Sequence, residues 1–191
     1  MAFGIALAIR ADIGVAPGSV IAYSASLLTP LSVGICSSLF HVLCMLLQAA
    51  ITRSFSPKLL LQLPLAYAFG FMLDAFLWML DFDLPSMPAR YLILAAGLFT
   101  FSLGIRAVVG ADIILAPPDG LAKALGDLMK QPISRGKLLF DVLVTAIGML
   151  LTLIFAGSAF LAVGWGTVIC AIGTGPIIGL YTKLFPMLDI K

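Results

Sequence analysis

Long stretches without a charged residue alternate with short polar clusters along this chain. Residues 13–52 and 142–182 contain no Asp, Lys or Arg. A helix that crosses the hydrocarbon core of a bilayer needs about 20 consecutive apolar residues. The pattern therefore predicts five transmembrane helices, at residues 33–52, 59–80, 91–109, 138–156 and 161–184. A sixth apolar segment, residues 1–9, is too short to cross a bilayer by itself.

The composition indicates that most of the chain lies in the hydrocarbon region of a bilayer. Of its 191 residues, 62% are hydrophobic and 10% are charged, whereas soluble domains carry about 25% charged residues. At about 20 residues per crossing, the length admits about six or seven helices and no separate soluble domain. We therefore predict an all-α fold, a single polytopic transmembrane helical bundle over residues 1–191. The net charge of +2 and the absence of a basic run exclude nucleic acid as a partner.

The basic residues are distributed unequally between the two ends of these helices. If residues 1–9 count as a crossing, one side receives eight Lys or Arg residues, namely Arg53, Lys58, Lys123, Lys130, Arg135, Lys137, Lys183 and Lys191. The other side receives Arg10 and Arg90, and Arg106 lies inside a helix. Because cytoplasmic loops are enriched in Lys and Arg, this bias predicts that both termini face the cytoplasm.

The chain contains an internal repeat, in which one Asp, two prolines and two glycines recur in register. The recurring segments are 4–17 with 104–117, and 30–34 with 132–136. Each half, at about residues 1–84 and 88–188, contains three crossings, so the second half enters the membrane from the opposite side. The sequence therefore predicts an inverted repeat of three plus three helices with two broken or re-entrant segments, an architecture found in many secondary transporters.

The first repeat begins later in its first helix than the second repeat does. Thirteen residues of apolar sequence, 91–103, precede Gly104, but only three precede the equivalent Gly4. The difference is about ten residues. We expect the first helix either to be a half-helix or to lack these residues because the start codon was placed too late.

Paired motifs make the chain similar to a known family. Segments 11–17 (ADIGVAP) and 111–120 (ADIILAPPDG), with 32–34 and 164–176, resemble those of the YczE/YitT-like bacterial integral membrane proteins. The resemblance implies a protein of the bacterial cytoplasmic (inner) membrane, and the family brings no settled biochemical activity with it. The chain departs from the pattern where Gly18-Ser19 stands in place of the Pro118-Asp119 of the second copy.

Both copies of the repeat contain a predicted break in helical structure. Proline lacks a backbone donor and disfavours helix in the residue before it, so the chain should unwind just before Pro17 and Pro117. We expect helix to resume with Ser19 and Asp119 as N-caps. The first resumed segment is predicted to be re-entrant, and the second to be an amphipathic helix at the membrane interface.

An Asp precedes each break, and its role has two interpretations. In the first, Asp12 and Asp112, with carbonyls freed by the breaks, bind a cation, a proton or a cationic substrate group. The residues at the breaks belong to the same candidate binding site, namely Pro17, Ser19, Pro117 and Asp119. In the second, each Asp is structural, because it caps the following short helix or pairs with a nearby arginine. The pairs would then be Asp12 with Arg10 and Asp112 with Arg106.

Three more polar residues lie within predicted helices and are candidates for binding, because ionisable groups at membrane depth are costly. His41 has either a hydrogen-bonded packing role or a role in proton relay or substrate contact. Asp74 has no acidic counterpart, because Gly179 faces it in the repeat. Asp141 follows Lys137 at the i,i+4 spacing that is typical of a local ion pair.

The last predicted helix is rich in glycine. Gly175 and Gly179 have the small-xxx-small spacing that favours close helix packing. Pro176 lies between them and offers an alternative, a kinked helix that rocks during transport.

These patterns favour a small-solute membrane transporter of unknown substrate that works by alternating access with cation or proton coupling. Two other functions stay open, a substrate-binding membrane subunit of a larger uptake complex and a non-transporting scaffold or regulatory protein. The chain lacks the motifs of hydrolases, metalloproteases and nucleotide-binding proteins, so we expect no enzyme activity, cofactor or metal. The expected partners are the lipid bilayer and an unknown small solute, and the sequence is compatible with a homodimer.

Overall fold

The structure is a computed structural model that describes residues 1–111 and 114–185. These residues form a bundle of helices and contain no β-strand, which confirms the predicted all-α fold. The α-helices are α1 (Ala2–Ala11), α2 (Val20–Leu28), α3 (Val33–Thr52), α4 (Pro57–Leu60), α5 (Gln62–Met79), α6 (Met87–Ala111), α7 (Pro117–Leu128), α8 (Ile133–Ala156) and α9 (Trp165–Leu184). A 3-10 turn at Pro17–Ser19 precedes α2.

The described residues form five helical segments that are long and apolar enough to cross a membrane. One of these segments consists of α4 and α5 together. α3 has the predicted bounds, whereas α6 and α8 begin four and five residues before the predicted positions 91 and 138. Backbone hydrogen bonds, not hydrophobicity, determine where a helix begins and ends. The first turn of α8 is therefore helical although it contains the polar residues Ser134 and Arg135. α1, at ten residues, is about 15 Å long, half the thickness of a hydrocarbon core.

Large apolar side chains cover the outside of the bundle. Trp78 is 82% exposed, Phe71 78% and Trp165 75%. A soluble monomer rarely exposes apolar patches of this kind, whereas lipid tails solvate them well. The protein is therefore a membrane protein whose helices contact the lipid bilayer.

Both Ala-Pro segments interrupt the helical structure, as predicted. Ala16 (φ −58°, ψ 141°) and Ala116 (φ −59°, ψ 145°) have the same extended backbone, which is the conformation favoured before a proline. Pro17 and Pro117 then take the first position of the next helical segment. A proline is well suited to that position, because the N–H that it lacks would have no partner within the helix.

The predicted N-cap position of Ser19 is confirmed, whereas that of Asp119 is wrong. Ser19 precedes α2, but its side chain makes no capping hydrogen bond. Asp119 is the third residue of α7 rather than the residue before the helix. Because proline starts the helix at position 117, the carboxylate of Asp119 is left available for other contacts.

Each short helix packs on a long helix of the other half of the chain. α2 lies against α8, α7 lies against α3, and α1 lies along α6. The fit is close where Ser24 Oγ donates to the Gly148 carbonyl at 3.3 Å, and a Cβ on Gly148 would lie 2.4 Å from Val20. The two halves are thus interlocked through their broken segments.

Gly175 and Gly179 do not pack closely on another described helix of this chain. A Cβ built on either residue would meet nothing within 4 Å, because this part of α9 does not pack against α8. α9 continues through Pro176 as one helix and packs mainly on α6. Its start is held by the first break, where Gly166 N donates to the Ile13 carbonyl at 2.7 Å.

Candidate functional site

A cavity of about 130 Å³ lies where the two Ala-Pro breaks meet. Its wall includes Pro17 and Ser19 from the first half and Pro117 and Asp119 from the second half. An apolar cavity of about 150 Å³ is large enough to bind benzene. This central cavity can therefore accept a small organic molecule or an ion with its water.

Positions that the predicted repeat makes equivalent line the central cavity from both halves of the chain. Leu65 and Phe69 of α5 correspond to Cys170 and Thr174 of α9, and all four residues line the cavity. Short polar and sulfur-containing side chains on one side thus replace the large apolar ones on the other. The cavity is symmetric in the positions that form it and asymmetric in their chemistry.

A lysine between two carboxylates forms the charged part of the cavity wall. Lys137 Nζ lies 3.1 Å from Asp141 Oδ1 and 3.3 Å from Asp119 Oδ1, which confirms the predicted ion pair of Asp141 with Lys137. All three residues line the cavity. The opposite charges partly compensate one another for their partial removal from water. A Cβ on Gly18 of the first repeat would lie 3.8 Å from Lys137 Nζ, so this cluster touches both halves.

His41 contributes a polar group without a partner to the same cavity. Its side chain is 9% exposed, and its ring packs on Phe69 with centroids 4.8 Å apart. Nδ1 is buried and has no hydrogen-bond partner among the described residues. His41 therefore packs against an aromatic ring as one alternative predicted, but without a hydrogen bond at Nδ1. Such an unsatisfied group costs about 1–3 kcal/mol, which a ligand that binds to it would recover.

Asp12 lies away from the central cavity, at the opposite end of α1 from Met1. Its Oδ2 lies 2.8 Å from Arg90 Nη1, and the side chain is 69% exposed. The predicted pair of Asp12 with Arg10 is wrong, because Arg10 lies 3.1 Å from Asp81 instead. Asp12 ends α1 in the left-handed conformation (φ 51°). The backbone therefore turns away from the helix axis at Asp12, and the carboxylate does not face Arg10.

Asp74 joins α5 to the start of α3 and does not line the central cavity. It accepts hydrogen bonds from Ser32 Oγ at 2.5 Å and from the Gly34 amide at 2.7 Å. Ser32 Oγ in turn accepts from the Ile35 amide. These bonds satisfy amide groups that the first turn of a helix leaves without an intrahelical partner. The contacts of Asp74 are those of a structural residue.

The cavity gathers six of the nine residues predicted as binding residues, namely Pro17, Ser19, His41, Pro117, Asp119 and Asp141. Asp112 lies outside the described residues, and its role stays a prediction. Lys137 was predicted only as a partner of Asp141. A lysine directly before an apolar run could also have indicated a residue of the site. Phe69 was missed because an aromatic residue in an apolar helix gives no sign of its function.

The described residues contain no group of three or more His, Cys or Asp side chains that could hold a metal ion. Cys36, Cys44 and Cys170 are free and buried. The chemistry available in the central cavity is therefore that of charged and hydrogen-bonding side chains beside an apolar wall.

Comparison with known proteins relates the chain to a family without a known activity. Residues 1–183 match the model of a family of unknown function (DUF6198). No curated protein and no solved structure matches the chain. The function must therefore be inferred from the site.

Proposed function

The chain belongs to DUF6198, a family of unknown function, and we propose that it carries a small solute across a membrane by alternating access. The observation that carries the proposal is that both Ala-Pro breaks line one cavity with a charged cluster. In many secondary transporters, broken helices of two inverted repeats form the substrate site between them. The paired backbone conformations at Ala16 and Ala116 support the same relation between the halves.

The charged cluster suggests how solute and a coupling ion bind. Asp119 and Asp141 share the single ammonium group of Lys137. A cationic group of the solute, a metal cation or a proton can take part of that role and release Lys137. His41 Nδ1 offers a hydrogen-bonding position to the solute, and Phe69 packs beside it. Asp112 keeps its predicted role as a coupling residue in this proposal.

The unequal packing of the two halves supports alternating access. α3 and α5 are in contact, whereas the equivalent helices α8 and α9 do not pack against each other. Inverted repeats that alternate exchange their conformations, so one half is open while the other is closed. The second state of this transporter would have α9 packed on α8 and α5 moved away from α3.

We also propose the membrane in which the protein lies and its orientation there. Both termini lie in the cytoplasm of a bacterium, and the basic end of the bundle faces inwards. The resemblance to YczE/YitT-like proteins is part of this proposal. A substrate-binding subunit of an uptake complex would use the same cavity without moving α9, and a non-transporting scaffold or regulatory protein would leave the cavity unused. A homodimer is compatible with each of these functions.

The test begins with a thermal-shift screen of the purified protein against small amines, amino acids and inorganic cations at varied pH and sodium concentration. We expect at least one compound to raise the melting temperature of the wild type, because a ligand stabilises the state that binds it. The same compound, radiolabelled, should then accumulate in proteoliposomes under an imposed proton or sodium gradient.

Substitutions in the cavity show whether the screen has found the proposed site. Asp141→Asn and His41→Phe should each lower the affinity at least tenfold, whereas Asp12→Asn, an exposed matched control, should leave it unchanged. The use of two cavity variants guards against a loss of binding that is caused by misfolding of one of them. Both cavity variants should keep the wild-type elution volume in size-exclusion chromatography. Binding without accumulation would favour the uptake-complex subunit. Equal binding by the wild type and both cavity variants would contradict the proposal.

A further inference from the structure

A second polar pocket lies at the end of the bundle where α3 ends and α5 begins. It encloses about 260 Å³ and is separate from the central cavity, with which it shares Val108 alone among the described residues. The polar residues that line it are Gln48, Ser56, Lys58, Gln62 and Lys123. We call it the lysine–glutamine pocket.

Its two lysines come from different parts of the chain. Lys58 lies in α4 and Lys123 lies in α7, so the fold brings together two cations that are far apart in sequence. Neither forms an ion pair with a carboxylate among the described residues. The described wall of the pocket contains no carboxylate. Two like charges at one pocket repel each other, and an anion between them removes that repulsion.

Its two glutamines leave polar atoms unsatisfied. Gln62 is 4% exposed, and its Oε1 has no hydrogen-bond partner among the described residues. The Oε1 atom of Gln48 is likewise buried and without a partner there. A buried carbonyl oxygen without a donor costs free energy. Neither oxygen is accessible in its present position, so each would accept a hydrogen bond from a hydroxyl or an amine of a ligand after its side chain turns into the pocket.

We propose that the lysine–glutamine pocket binds a phosphate group that carries neighbouring hydroxyl groups. The lysines hold the phosphate oxygens, and the hydroxyl groups donate to the glutamine oxygens. A glycerol phosphate has this chemistry, either free in solution or as the head group of phosphatidylglycerol. Basic pockets between transmembrane helices are known to bind the head groups of anionic lipids. This inference is independent of transport through the central cavity.

The test measures lipid and ligand binding to the purified protein by native mass spectrometry and thermal shift. The probes are phosphatidylglycerol, phosphatidic acid, phosphatidylcholine, soluble glycerol 3-phosphate and inorganic phosphate. Lys58→Gln with Lys123→Gln should weaken binding of the preferred probe about 30-fold, at about 1 kcal/mol for each lysine near the membrane surface. Lys130→Gln with Lys183→Gln removes the same charge outside the pocket and should leave that affinity unchanged.

A third variant tests recognition of the hydroxyl groups. Gln62→Met has a similar size and no acceptor, so it should remove the preference for phosphatidylglycerol over phosphatidic acid, which lacks the head-group glycerol. All variants should match the wild type in melting temperature without lipid. Preference for phosphatidylglycerol identifies a lipid site, and preference for glycerol 3-phosphate a soluble ligand. The proposal is overturned if no probe exceeds phosphatidylcholine, if both lysine pairs lose binding equally, or if Gln62→Met keeps the preference.

Discussion

The predicted repeat makes the helix pair α3 and α5 equivalent to the pair α8 and α9, and the two pairs are packed differently. In the first pair, a Cβ on Gly70 would lie 2.1 Å from Ser38 Oγ and 2.3 Å from the Gly34 carbonyl. In the second pair, a Cβ on Gly175, the counterpart of Gly70, would meet nothing within 4 Å. Similar sequences thus form a closed helix pair in one half and an open pair in the other.

The difference shows what a glycine contributes in each context. At Gly70 the absence of a side chain allows two helix backbones to approach, with Asp74 holding the start of α3 one turn further along. At Gly175 the same absence leaves a smooth surface with nothing packed on it. If the halves alternate, Gly175 is the surface on which α8 closes in the second state. If they do not, the position has no packing requirement.

The largest effect should come from filling the closed pair. Gly70→Leu places a large side chain against the backbone of α3, so we expect about 3 kcal/mol or more of destabilisation, the upper range for overpacking. Gly175→Leu should stay within about 1 kcal/mol of the wild type, since Leu favours helix over Gly. Unfolding in a series of detergent mixtures measures both, and equal losses would show that the open pair closes in solution. Gly175→Leu should still abolish transport of any solute that the screen identifies.

An intermediate effect should appear in the populations of the two states. Spin labels at Arg135 in α8 and Lys183 in α9 report on the open pair, and labels at Leu31 and Asp83 report on the closed pair. Each experiment uses a background with the three native cysteines replaced by Ala. We expect addition of a transported solute or a shift of pH to shorten the first distance, as α9 packs on α8, and to lengthen the second. Distances that never change in opposite directions would make the asymmetry a fixed feature of the fold.

The smallest effect separates two serines that precede helices. Ser32 Oγ accepts from the Ile35 amide at 3.1 Å, whereas Ser19 makes no capping bond. Ser32→Ala should therefore cost about 1 kcal/mol of stability, and Ser19→Ala less than about 0.5 kcal/mol. The same unfolding assay compares them. A larger loss at Ser19 would indicate that the start of α2 is capped in the folded protein.

The sequence predicted the parts of the fold that depend on local chemistry. The bounds of α3 follow from an apolar run that ends at Arg53, and the breaks before Pro17 and Pro117 follow from the covalent geometry of proline. The ion pair of Lys137 with Asp141 follows from helical spacing. Each of these predictions needs only residues that are neighbours in the chain.

Contacts between distant segments were beyond the reach of the sequence. Asp12 pairs with Arg90, 78 positions away, because the fold brings the end of α1 to the start of α6. His41 meets Phe69 because of the way in which α3 and α5 are rotated about their axes. Periodicity identifies an apolar helix but not its rotation when every face is apolar. The repeat indicated that the breaks were related, and packing determined which side chains share the cavity.

The hydrogen bond from Gly166 to Ile13 connects the start of α9 to the segment that leads into the wall of the central cavity. Ile13 lies four residues before Pro17, and Val15 also donates to the Ala162 carbonyl, at 3.3 Å, just ahead of α9. Any displacement of α9 must therefore pull on the segment that forms one wall of the cavity. Thermodynamic linkage then requires a reciprocal effect: if a ligand in the cavity shifts the equilibrium between two positions of α9 by some factor, proteins cross-linked in one position and in the other differ in affinity for that ligand by the same factor. In a transporter of this kind, the occupancy of the cavity and the position of α9 would report on one equilibrium.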